Sequence, residues 1–290
     1  MIIGKNSSAE LPASVARALG RVVEALNMLD YTEFRVKELF GPAVYLLGRR
    51  GKLVRPALVL MGAHALGEKP EKFVNLAVAA ELLHTSSLVH DDIVDGDDVR
   101  NGMDSVHAKY GGKVAIIAGD ALISKAVELA AGYGEAVLKS MTEASMDMCA
   151  GEILDYRWQE ADRAPSISQY IRIASLKSAS LIGACMNAAA IYCSSSYADT
   201  FYRSGTDLGI AFQIRDDVLD FVGSPGRARR RREPNIVSSI MERYGSGSRK
   251  AIIKAAEMNN RYVSMSQRRM KRAGHGDVFS GYLEMIRLKV

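Results

Sequence analysis

Apolar residues recur at helical spacing along most of the chain. Residues 13–39, 71–90, 114–138, 170–192 and 198–221 are long stretches rich in Ala, Leu, Ile and Met, which favour helix. No run of alternating Val, Ile, Thr or Tyr is bounded by a hairpin turn, so strands are not expected. Breaks fall at Gly41-Pro42, at 67–70, at Gly111-Gly112, at Ala164-Pro165 and at 223–234. There is no long Pro- or Gly-rich linker and no fixed-period repeat. The pattern therefore predicts one all-α domain over residues 1–290 rather than a solenoid.

Two short acidic segments echo each other: Asp91-Asp92-Ile93-Val94-Asp95 and Asp216-Asp217-Val218-Leu219-Asp220. On a helix, residues at i and i+4 lie one above the other, so Asp91 and Asp95 point the same way, with Asp92 beside them. Asp216, Asp217 and Asp220 repeat the arrangement. Like charges this close repel, and a helix shaped only by stability has no use for them. Leu88 and Val89 precede the first cluster and apolar residues between 210 and 214 precede the second, which puts the carboxylates at the edge of a core. A hard divalent cation relieves the repulsion, and Mg²⁺ binds through a few carboxylates plus substrate phosphate oxygens. One DDxxD alone is more often a solvated acidic face; two of identical spacing in apolar settings favour metal. The candidate metal ligands are Asp91, Asp92, Asp95, Asp216, Asp217 and Asp220.

Groups suited to phosphate lie nearby in sequence. His84 and Ser87 precede Asp91 by seven and four residues and share its helix face. Lys52 and Arg55 stand just before a helix opened by Pro56, offering a point charge and a planar fork. Arg100 follows the first cluster in the loop 96–102, Lys177-Ser178 lies inside a helical stretch, and Gln213 sits one turn before Asp216. Each alone is more often a surface or packing residue, and the clusters change that weighting.

The net charge of +5 fits an anionic partner without choosing among phosphate esters, acidic lipid and nucleic acid. Cys149, Cys185 and Cys193 form no CxxC pair and give no closed disulfide framework, which points to a reducing, cytoplasmic setting. Cys185 and Cys193 read as core filler. Residues 1–10 turn polar at once, unlike a leader, and the apolar stretch 181–193 is too short to cross a bilayer and contains Asn187. The arginines at 227 and 229–232 and the basic tail Arg268, Arg269, Lys271, Arg272 come with no nucleic-acid motif and read as mobile solvated loops. The expected protein neither spans a membrane nor binds nucleic acid.

These motifs, in order from Gly51 to Asp220, resemble the trans-isoprenyl diphosphate synthase (polyprenyl synthetase) family. Gly51-Lys52-xx-Arg55-Pro56 is similar to its GKxxRP diphosphate site, and His84-xx-Ser87-Leu88-xx-Asp91-Asp92-xx-Asp95 to its HxxSLxxDDxxD stretch. Arg100 matches the first arginine of DDxxDxxxxRRG, Gly119-Asp120 its AGD, and Gly151-Glu152-xx-Asp155 its GQxxD with Glu for Gln. Lys177-Ser178 resembles KT, and Gly209-xx-Phe212-Gln213-xx-Asp216-Asp217-xx-Asp220 the second aspartate-rich motif. The resemblance implies an isoprenoid-synthase bundle of long antiparallel helices around a central cavity, usually a homodimer. It also implies two or three Mg²⁺ ions bound with diphosphate. The implied reaction joins an allylic diphosphate to isopentenyl diphosphate through ionisation, attack and proton loss. Implied catalytic groups are Asp91, Asp92, Asp95, Arg100, Lys177 and Asp216; implied substrate contacts are Gly51, Lys52, Arg55, His84, Arg100, Lys177, Ser178 and Gln213. Three departures are Asn101 at the second arginine of RRG, the mild change of Ser178 for Thr in KT, and the arginine-rich stretch 223–234, where the family carries a glycine-rich segment with a lysine.

An isoprene unit is about as long as one helical turn of ~5.4 Å, so residues one turn apart mark successive chain lengths. The family closes its cavity early with aromatics at positions matching Ser86 and Ser87; both are small here, with Leu83 deeper. The expected product is therefore about twenty to twenty-five carbons long, as in archaeal geranylgeranyl and geranylfarnesyl synthases. Two other readings are a terpene cyclase or head-to-head synthase, which has little use for Lys52, Arg55 and His84, and a non-catalytic subunit, which tends to lose its aspartates.

Overall fold

The computed structural model describes residues 11–30, 32–49, 51–161, 163–223 and 234–289. Contacts divide these described residues into two compact units, one drawn from 12–142 with 188–194, the other from 143–187 and 195–289. Among the described residues the fold is helical apart from one two-stranded hairpin.

In the first unit, helix α1 (Ala13–Met28) packs on α3 (Val54–Ala65) and α4 (Val74–Asp95). Helices α2 (Lys37–Val44) and α6 (Gly112–Ala131) also pack together, α6 lies along α4, and the short α5 (Val106–Tyr110) packs against α6. The helix expected over 13–39 is interrupted. Backbone N–H and Oγ1 of Thr32 both donate to Asp30 Oδ1, an Asx turn that competes with helix propagation. The expected break at Gly41-Pro42 lies inside α2 instead. Residues 76–83 of α4 are buried without interruption, the signature of a helix surrounded by others.

The second unit holds most of α7 (Glu135–Gln159), then α8 (Ile167–Ala174), one turn of π-helix (Ser175–Ala179) and the first part of α9 (Ser180–Tyr192). Helix α10 (Ala198–Gly223) packs against α12 (Ser248–Arg272), with α11 (Ile236–Tyr244) and α13 (Gly276–Ile286) beside them. Its core joins Tyr170, Ile214, Val218, Phe221, Ile236 and Ile240. Ser166 opens α8 with a complete capping box to Gln169.

Several expectations change. The basic tail 268–272 forms the last turns of α12 rather than a loop, while the arginines between 227 and 232 lie outside the described residues. Cys193 is exposed, so only Cys185 serves as core filler; none of the three cysteines is in a disulfide. All but the last residue of the apolar stretch 181–193 belongs to a longer helical run, Ile167–Tyr192, that is long and apolar enough to cross a membrane, yet 78% of its most apolar window is buried within the protein.

Candidate active site

The first cluster ends α4. Gly96 closes the helix in the left-handed conformation (φ 66°), and Asp97 N–H turns back to the Asp92 carbonyl at 2.8 Å. The chain then makes a hairpin missed in the sequence pattern, pairing Val99 with Asp104 and Arg100 with Met103. Its turn residues are Asn101 and Gly102, with φ of 52° and 77°. Asn-Gly suits a two-residue turn needing positive φ twice, and that dipeptide was the available signal. Asn101 thus shapes the turn where the family has a second arginine.

The hairpin aims Arg100 at Asp92. Arg100 Nε stands 2.7 and 2.9 Å from the two Asp92 oxygens, and Asp92 is 1% exposed. The middle carboxylate is therefore spent on a bidentate, charge-assisted clamp. Asp91 and Asp95, one turn apart, stay half-buried.

Arg55 lies in the first turn of α3, just after Leu53, which adopts a left-handed conformation (φ 49°). That geometry is unfavourable for leucine and costs on the order of 1 kcal/mol. Gly51 and Lys52 are exposed before it. Burial, helped by the charges of Arg55 and Arg100, holds His84 well below its ordinary 6.5. His84 is thus neutral at pH 7, with two guanidinium groups in its surroundings. A depressed histidine pKa contributes stability above about pH 6.5, and that contribution is lost as pH falls below it. His84→Gln should therefore show a smaller fall in melting temperature than wild type between about pH 7 and pH 5. An equal fall would remove His84 as the cause.

Ser86 and Ser87 donate their hydroxyls to the carbonyls of Leu83 and His84, each at 2.8 Å. Their polarity is spent on the helix itself, which leaves small, largely apolar steps along α4. Ser86 and Leu83 are 3% and 4% exposed.

In the other unit, α10 carries the second cluster with the same division of labour. Asp217 is buried; it accepts Ile236 N–H at 3.0 Å and Gln213 Nε2 at 2.9 Å. Burial is the main cause that raises its pKa to about 7. Asn235 donates to the Asp217 carbonyl and also caps α11, so the middle aspartate anchors the start of that helix. Asp216 is 41% exposed at its side chain, with Arg215 Nη1 at 3.4 Å, and Asp220 is exposed.

Lys177 sits on the π-turn, its ammonium 2.6 Å from Asp155 and 2.7 Å from Glu152. Ser178 donates to Gln213 Oε1 at 2.6 Å, which links the π-turn to Asp217 through Gln213. Two glycines let neighbouring helices reach this wider turn. A Cβ on Gly151 would stand 2.3 Å from Lys177 N, and one on Gly209 2.5 Å from Ala179 Cα. Gly151→Ala should push α7 off the turn and cost about 3 kcal/mol, lowering the melting temperature by roughly 5–10 °C. A change under about 1 °C in a thermal melt would show that the contact relaxes freely.

Among the described residues, no group of three or more His, Cys, Asp and Glu side chains is arranged to hold a metal ion. The donor chemistry nonetheless fits Mg²⁺, which keeps several waters and takes one or two carboxylates plus phosphate. Asp91 with Asp95, and Asp216 with Asp220, are hard-oxygen pairs one turn apart at accessible positions. Asp92 and Asp217 are buried, while the four outer aspartates are the more accessible of the six candidates.

A sequence profile of the polyprenyl synthetase family matches residues 36–233. The geranylgeranyl diphosphate synthase of Methanosarcina mazei is 36% identical over 194 residues, covering 64% of this chain and 60% of that protein. The geranylfarnesyl diphosphate synthase of Aeropyrum pernix is 33% identical over 211 residues, covering 68% of this chain and 66% of that protein. The matched stretch thus spans less than two thirds of either relative. The crystal structure of geranylgeranyl pyrophosphate synthetase from Pyrococcus horikoshii is similar at a TM-score of 0.84 and 26% identity, covering 94% of this chain and 97% of that one.

Proposed function

The chain belongs to the polyprenyl synthetase family, and we propose that it condenses an allylic diphosphate with isopentenyl diphosphate, releasing diphosphate. The product is a trans-polyprenyl diphosphate of twenty to twenty-five carbons, the lengths named by the Methanosarcina and Aeropyrum relatives. One observation carries the reading. Each DDxxD buries its middle aspartate against protein donors and keeps the outer two, one turn apart, at accessible positions. A stability-driven helix gains nothing from the second half of that pattern.

Asp91, Asp95, Asp216 and Asp220 are the residues that would hold Mg²⁺. When bound, two or three such ions would neutralise the departing diphosphate. Arg100, oriented by Asp92, adds a fixed cation on the side of the first cluster. Lys52 and Arg55 bind the diphosphate of isopentenyl diphosphate, with neutral His84 as a hydrogen-bond partner that adds no charge. Lys177 is held by Glu152 and Asp155 for the allylic diphosphate, and Ser178 and Gln213 keep that turn in register with the second cluster.

The active form is a homodimer. Exposed apolar side chains support it: Ile116 and Ile117 at 48% and 57% in one unit, Met146 and Ile153 at 70% and 52% in the other. Three cysteines with no disulfide among them support a cytoplasmic setting. The test is incubation of the purified chain with labelled isopentenyl diphosphate and dimethylallyl, geranyl or farnesyl diphosphate in Mg²⁺. Elongated products of the stated length are expected. Product from a single allylic diphosphate without isopentenyl diphosphate would identify a cyclase or head-to-head synthase. No product until a second protein is added would identify a non-catalytic subunit.

A further inference from the structure

We propose that the exposed face of α12 docks on an anionic phospholipid bilayer. Lys250, Arg261, Arg268 and Arg272 are all exposed, and they follow one another at offsets of 11, 18 and 22 from the first. Those offsets are close to whole turns of about 3.6 residues, so the four cations form one line running about 33 Å along the helix. Lys254 falls on the same line, and Glu257 is the exposed acid that interrupts it. The opposite side is buried through Ala251, Ala255, Val263 and Met270.

Helix stability accounts for Arg261, one turn after Glu257, but not for the rest of this pattern. Lys250 with Lys254, and Arg268 with Arg272, are like charges at i and i+4, which oppose helix formation. The first turn holds Arg249 and Lys250 with no acid, at the end where the helix dipole disfavours cations. The dipole explains basic residues only in the last turn. Arg269, off the line, is already paired with Asp207 at 2.8 Å.

A long row of one sign complements anionic headgroups, each basic side chain adding attraction close to a negative surface. Beside the row, Ile253 is 37% exposed and Tyr244 53% exposed, and Lys254 Nζ stands 3.5 Å over the Tyr244 ring. Side chains with an apolar body and a polar or charged tip settle at the boundary of headgroups and acyl chains. These groups favour a bilayer over a nucleic acid. The choice of bilayer also rests on the function proposed above: the long-tailed diphosphate product partitions into lipid, so a chain docked on a bilayer releases it where it settles.

The experiment is flotation of the full chain with vesicles of phosphatidylcholine, alone or with about a third phosphatidylglycerol. Binding to the anionic vesicles alone is expected, with loss as added salt screens the surface charges. The variant R261E/R268E/R272E should bind at least tenfold more weakly. The matching glutamine variant, which removes charge without reversing it, should lose several-fold with an unchanged melting temperature. Equal binding to both vesicle types, unchanged binding by the glutamine variant, or tighter binding to single-stranded RNA than to anionic vesicles would overturn the proposal. Flotation needs no turnover, and the triple variant should keep wild-type kcat with soluble short primers. A chain that floats with anionic vesicles but makes no product keeps the docking surface and loses the proposed reaction.

Discussion

Asp91→Ala and Asp216→Ala should each lower kcat by on the order of 10³-fold or more, with the fold intact. Both side chains are partly exposed at the ends of long helices, so truncation leaves no buried charge behind. Circular dichroism and a melting temperature near wild type should accompany the loss. Asp92→Asn separates the two kinds of aspartate in the first cluster. It breaks the bidentate contact with Arg100, so its effect should be strongly non-additive with Arg100→Gln in a double-mutant cycle. Asp91→Ala should instead be additive with Arg100→Gln, or nearly so. Near-wild-type kcat in Asp91→Ala or Asp216→Ala would sink the functional assignment. Additivity between Asp92 and Arg100 would sink the clamp.

Ser86→Phe should shorten the product by at least one isoprene unit, to about fifteen carbons, because a ring one turn above Leu83 blocks a step of ~5.4 Å along α4. Ser86 is 3% exposed, so the ring also strains its surroundings. Ser87→Phe, at a half-buried neighbour, provides the second arm. Product length from radiolabelled chains is the measurement. If neither variant changes the longest product while both retain activity, α4 is not the ruler, and the two hydroxyls serve only their bonds to Leu83 and His84.

Much of this was legible in the residues. Helical periodicity identified the all-α class, and the repeated DDxxD spacing singled out α4 and α10 as the candidate elements for chemistry. Such features are local: side-chain period and charge spacing follow from helix geometry alone. The hairpin was missed because each strand is two residues long, too short for alternation to register, and its one signal was Asn101-Gly102. The interruption after α1 was missed because an Asx turn at Asp30 outweighed a good helical pattern.

Spacing along the chain determined which carboxylates share a helix face and which basic residues line α12. Tertiary structure alone decided that Asp92 and Asp217 are engaged by Arg100 and by the start of α11, because those partners come from eight and nineteen residues away. It also decided that Lys177 stands on a π-turn between Glu152 and Asp155. The physical reason is that a helix sets the direction of a side chain within one turn, while burial and partners depend on what the rest of the chain packs against it.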